Sequence, residues 1–86
     1  MHKILEHKII GPDVHLYKFD APDVAKYREP GQFVIIRVSE EGERIPLTIA
    51  DVNKDEGSIS LIVQSVGKTT LELAQKNAGD SIPDIC

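Results

Sequence analysis

Eighty-six residues suffice for one small domain that buries about 60–65% of its unfolded surface. A composition of 41% hydrophobic and 28% charged residues is that of an ordinary globular chain. The formal net charge of −4 excludes general affinity for nucleic acid or an anionic membrane. No apolar run reaches the ~18 residues of a membrane helix. The opening MHKILEHKII interleaves charge with apolar residues, unlike a signal peptide, so the expected compartment is the cytoplasm. The single cysteine, Cys86, excludes an internal disulfide. His2, His7 and His15 lack metal-ligand spacing and read as solvated strand positions, so no metal site is expected.

In chain order, residues 3–10 read as a strand that stops at the turn signal Gly11-Pro12-Asp13. Val14 to Phe19 form a second strand with apolar groups on both faces, which suits a curved or closed sheet. An irregular connector follows, with one helical turn expected around Asp23 to Tyr27, and Pro30-Gly31 fixes a turn. Residues 33–38, FVIIRV, read as a buried strand. The charged loop Glu40 to Glu43 leads to a strand expected from Pro46 to Val52, and a polar loop at 53–57 leads to SISLIVQSV, residues 58–66. The period then changes, and TTLELAQKN, residues 69–77, reads as a short helix with Thr69 and Glu72 spaced as a capping box. SIPDIC, residues 81–86, begins one more strand.

Five or six short strands, tight polar loops and one late helix indicate an all-β fold, a small antiparallel barrel, as a single domain over 1–86. The last strand is expected to be incomplete. A missing strand leaves an open sheet edge, and a homodimer through that edge is one expectation.

Two stretches carry chemistry. In SVGKTTLEL, Gly67 at a helix entry brings free backbone amides together with the Thr69 and Thr70 hydroxyls, a pattern suited to phosphate. The alternative is a plain capped helix after a glycine turn, and Glu72 counts against an anion. In RIPLTIAD, Pro46 removes a ladder donor just inside a strand. Leu47 offers apolar surface, Thr48 a short donor and acceptor, and Arg44 a guanidinium fork for phosphate. Such a strand suits the edge of a flat heteroaromatic ring. The alternative is an edge strand that simply starts at Pro46. PGQF by itself says only that the chain turns. No residue is a convincing general acid, base or nucleophile.

The order PGQF, RIPLTIAD, IVQSVGKTT resembles the flavin-binding Greek-key barrel of the ferredoxin–NADP reductase superfamily, over nearly the whole chain. Within it, the likeness is strongest to the flavin subunits of dihydroorotate dehydrogenase and of NADH-dependent ferredoxin–NADP oxidoreductase. The resemblance implies FAD as cofactor, with Pro46, Leu47 and Thr48 along the isoalloxazine. It implies backbone contacts from Val63, Gln64 and Ser65, and the diphosphate at Gly67, Thr69 and Thr70. It also implies an iron–sulfur-containing partner subunit and electron transfer from NAD(P)H. Two departures stand out. The family's Arg-x-Tyr-Ser pattern is altered, with Arg44 four residues before Thr48 and Leu47 in place of tyrosine. The nucleotide-binding domain and the cysteine cluster of longer members are absent, so the chain reads as a fragment with little NAD(P)H turnover of its own. The rival expectation is a small β-barrel interaction module with no flavin bound.

Overall fold

A computed structural model describes all of residues 1–86. The chain runs β1 (His2–Gly11), β2 (Val14–Asp20), α1 (Pro22–Tyr27), β3 (Phe33–Arg37), β4 (Arg44–Asn53), β5 (Ser58–Gln64), α2 (Lys68–Ala74), β6 (Ser81–Ile82) and β7 (Asp84–Ile85). All pairings are antiparallel, in the order β6-β1-β2-β5-β4-β3-β7. The two outermost strands are neighbours in sequence, separated only by Pro83, so the sheet curls round and nearly closes.

The closing segment differs from the expectation of an open edge. Lys3 faces Ser81 and His2 faces Ile82, while Ile36 faces Ile85 and Arg37 faces Asp84. Ile35 and Cys86 also exchange both backbone bonds at 2.9 Å. One short strand therefore joins both edges, and Pro83, with no N–H to satisfy, sits where the strand changes partner. Arg37 reinforces the join, its Nε and Nη2 each 2.7 Å from Asp84 Oδ2.

Alternation sets the core. Tyr17 and Phe19 of β2, Val34 and Ile36 of β3, Ile49 of β4 and Ile59, Leu61 and Val63 of β5 turn inward, joined by Ile82 and Ile85 from the closing segment. The run FVIIRV is thus buried only at every second position, and Phe33 and Ile35 face outward. Strand β4 starts two residues earlier than expected, at Arg44, because its pairing with β3 tolerates a proline that donates to neither neighbour at that rung.

The histidines also differ from expectation. His15 is only 8% exposed, and its Nδ1 lies 2.8 Å from His7 Nε2. The His7 ring stacks on Tyr17 at 4.2 Å, and the Tyr17 hydroxyl reaches the carbonyls of Leu73 at 2.6 Å and Lys76 at 2.8 Å. This column ties the end of α2 to the barrel wall. The β4–β5 turn is pinned to α1: Lys54 Nζ lies 2.9 Å from the Ala25 carbonyl. Gly57 has φ of 75°, and a Cβ there would meet Pro22 at 3.1 Å.

Ile82→Ala removes a fully buried side chain from the closing strand and is expected to cost about 2–5 kcal/mol in urea unfolding. The Tyr17 hydroxyl is pushed up to about 12, first by burial and then by the Asp80 carboxylate. Because the folded state holds this proton more tightly, its contribution is complete below pH ~10 and is lost as pH rises towards 12. Tyr17→Phe is expected to remove that alkaline loss, and to lower stability at neutral pH by about 1–2 kcal/mol.

Candidate functional site

Strand β4 turns Ile45, Leu47 and Ile49 toward the core and leaves Arg44, Pro46 and Thr48 exposed on the outer face. The four-residue spacing from Arg44 to Thr48 thus puts both on one side. Their partners on β3 complete three same-face rungs, Phe33 with Thr48, Ile35 with Pro46 and Arg37 with Arg44. The strip runs from an aromatic and a hydroxyl, through an apolar middle, to two guanidiniums. At a strand rise of ~3.4 Å per residue, its ends are about 14 Å apart. Leu47 lies on the opposite face of the strand, partly buried against the core.

The proline has a place here. Ile49 donates to Gln32 O at 2.7 Å and accepts from Gly31 N at 2.9 Å, so its backbone groups point at the β3 side. Alternation then turns the backbone groups of Thr48 and Pro46 the other way, toward β5. The β4–β5 ladder ends at Ile49 and Leu61, beyond a bulge at Ala50. Past that rung Ile62, Val63 and Gln64 pair with β2 alone, and Pro46 to Thr48 pair with β3 alone. The two strands splay into a rift, and at Pro46 the rift has no N–H to leave unpaired.

The start of α2 lies at the arginine end of the strip, because Thr69 Oγ1 donates to Glu43 Oε1 at 3.2 Å, next to Arg44. Thr69 is buried by this contact and does not cap with Glu72. The cap is Thr70 instead: its hydroxyl accepts from Gly67 N at 2.9 Å and Val66 N at 3.1 Å, and donates to Gly67 O at 3.1 Å. The first helical bond runs from Leu71 N to Gly67 O, so the Lys68, Thr69 and Thr70 amides precede any helical acceptor. Beside them lies a polar groove of about 360 Å³, lined by Ser39, Glu41, Gly42, Glu43, Lys68, Thr69 and Glu72. Its three carboxylates oppose an anion there, and Lys68 offsets one of them.

The sequence-predicted residues therefore gather on two walls. Arg44, Pro46 and Thr48 form one, and Gln64 with Gly67 and Thr70 continues the other. The Val63 and Ser65 side chains are buried, the latter donating to Asp13 O at 3.2 Å, so only their backbones can meet a ligand. Arg44 is the more exposed of the two arginines: its side chain is 60% exposed and 3.5 Å from Asp84, whose carboxylate Arg37 holds more closely at 2.7 Å. Sequence reasoning missed Phe33, Arg37 and Asp84. The inward alternation of Val34, Ile36 and Val38 was the signal that places Phe33 and Arg37 outward.

This chain resembles known proteins over its full length. The model of the oxidoreductase FAD-binding domain family matches residues 1–83. A dihydroorotate dehydrogenase B (NAD(+)) electron transfer subunit homolog of Thermotoga maritima is 46% identical over 85 residues, which are 99% of this chain and 30% of that one. An uncharacterised protein of Clostridium beijerinckii is 45% identical over 98% of this chain and 28% of its own. A solved structure of NADH-dependent reduced ferredoxin–NADP oxidoreductase, described for flavin-based electron bifurcation, superposes with a TM-score of 0.94 at 45% identity. It covers 100% of this chain and 32% of that one. The chain thus spans about a third of the length of these relatives.

Thr70→Val keeps the shape of the side chain and removes the hydroxyl that caps the Val66–Gly67 turn. It is expected to lower stability by about 1 kcal/mol in thermal or urea unfolding.

Proposed function

Because the chain belongs to the oxidoreductase FAD-binding domain family, we propose that the β3–β4 strip and the β4–β5 rift hold FAD. The observation that carries this reading is the polarity of the strip, which matches the cofactor from ring to diphosphate. At one end Thr48 presents a hydroxyl and a backbone edge facing a rift, as a heteroaromatic edge requires. At the other, exposed Arg44 follows Glu43, whose carboxylate accepts from Thr69 at the start of α2, where the Lys68, Thr69 and Thr70 amides are free. The residues present suit the group.

In this reading Thr48 donates to a ring heteroatom and Pro46 keeps the rift clear of a competing N–H. The backbones of Val63, Gln64 and Ser65 bound the opposite wall. Leu47 supports the strand from the core side. Arg44 pairs with the diphosphate, Gly67 lets the backbone approach it, and Thr70 holds that turn in shape. Thr69 acts through Glu43, fixing the start of α2 beside β4. FAD supplies the hydride and one-electron chemistry when bound. The barrel excludes water from one side of it and fixes its orientation; no side chain here moves a proton.

The chain is read as one domain, 1–86, of a longer cytoplasmic reductase subunit that passes electrons between NAD(P)H and an iron–sulfur partner. Support comes from the relatives' description as electron transfer subunits and from their length. No helix is long and apolar enough to cross a membrane. Pairing of two copies through a sheet edge has little unpaired edge to use, since residues 81–86 engage both β1 and β3.

The test is titration of the purified chain with FAD and with riboflavin, followed by visible absorption and flavin fluorescence after desalting. The chain is expected to retain FAD. Arg44→Gln is expected to weaken FAD about 10-fold or more and leave riboflavin unchanged, because a charge-assisted bond to phosphate is lost. Thr48→Val is expected to weaken both about three- to tenfold. A folded chain that binds neither flavin sinks the reading.

A further inference from the structure

The barrel has four aromatic residues of the Phe and Tyr type, and their surroundings differ. Tyr17 and Phe19 are fully buried in the core, and Tyr27 lies at the end of α1 with the Lys26 ammonium 5.4 Å from its ring. Phe33 alone stands on the outer face of the sheet, 59% exposed, directly across the ladder from Thr48. The core gains little from it there.

Its backbone is held firmly. Gly31, at φ of 92°, makes the turn before it. Gly31 and Gln32 are both bonded to Ile49 of β4, and the Gln32 side chain accepts from Glu29 N at 2.8 Å. An aromatic on a rigid strand loses little freedom when something packs on it. The Phe33–Thr48 rung is of the non-hydrogen-bonded kind, since the backbone bonds of Ile49 with Gln32 and Gly31 lie on one side of it and the Val34–Leu47 rung on the other. Side chains approach most closely at such rungs. The neighbouring rung, Ile35 with Pro46, extends the apolar surface, and the arginines follow only after it. Leu47 lies on the other face of β4, partly buried against the core. A ring whose polar edge meets Thr48 therefore has Phe33 as its aromatic neighbour on this face.

We propose that Phe33 is the apolar platform on which the flavin ring packs, supplying from β3 the aromatic contact that β4 lacks. This rests on the reading of the strip as the FAD site, and adds a ring contact to it. A ring contact has a signature distinct from that of a phosphate contact: it serves riboflavin and FAD alike.

The experiment titrates riboflavin and FAD into the wild-type chain, Phe33→Ala and Phe33→Trp, following flavin fluorescence and the visible bands. Far-ultraviolet melting of each variant checks that the barrel is folded. Phe33→Ala is expected to weaken both ligands by the same factor, about 10-fold. Phe33→Trp is expected to restore binding and to quench the bound flavin's fluorescence more than wild type does, since indole in ring contact is a strong quencher. A folded Phe33→Ala variant with unchanged affinity for both ligands overturns the proposal. A loss confined to FAD also overturns it, because it places Phe33 at the nucleotide end. A folded wild-type chain that binds neither ligand overturns the FAD reading itself, and the platform with it.

Discussion

Residues Ser81–Cys86 hydrogen-bond in two directions, to β1 through Ser81 and Ile82 and to β3 through Asp84, Ile85 and Cys86, and the barrel's shape depends on that double use. Without it the remaining five-stranded sheet has two edges whose amides and carbonyls face water, and a core open along one side. With it, Ile82 and Ile85 enter the same apolar cluster as Ile4 and Ile36. Each ladder is only two residue pairs long, so side chains share the task. Arg37 grips Asp84 across the β3–β7 join, and Ile4 donates to Asp80 O and accepts from Gly79 N.

Closure on that side leaves the sheet free to open elsewhere. Between β4 and β5 the ladder stops at Ile49 and Leu61, and beyond it Pro46 to Thr48 pair with β3 alone and Ile62 to Gln64 with β2 alone. A rift in a sheet normally exposes unpaired donors, at a cost comparable to a lost hydrogen bond for each. Proline at position 46 removes one of them. The same strand turns Leu47 and Ile49 into the core, so the rift is opened without loosening the wall beneath it. The helix that follows β5 is fastened at both ends, by Thr69 to Glu43 and by Tyr17 to the carbonyls of Leu73 and Lys76. These contacts hold the Gly67 turn at the arginine end of the strip.

The electrostatics of that end are mixed. Arg44 faces Arg37 directly across the ladder, an arrangement that like charges disfavour. Asp84 relieves it, held closely by Arg37 and loosely by Arg44. The neighbouring groove carries Glu41, Glu43 and Glu72 against Lys68. The guanidinium of Arg44 and the free amides of Lys68, Thr69 and Thr70 favour negative charge, and the carboxylates of the groove disfavour it.

Much of this was legible in the residues. The alternation of Ile59, Leu61 and Val63, the turn signals and the change of period after Val66 give an antiparallel barrel with one late helix. RIPLT and VGKTT mark the two places where a backbone departs from its ladder. This local grammar is written in the residues, because strand period, turn chemistry and a missing proline N–H are properties of chain neighbours. Tertiary packing sets which side of β4 each residue faces, since that follows from the register with β3. It alone put Thr69 on Glu43 in place of a cap, buried His15 against His7, set Phe33 opposite Thr48, and brought residues 81–86 onto two strands at once. Each of these pairs residues distant in sequence, and no local pattern encodes such a contact.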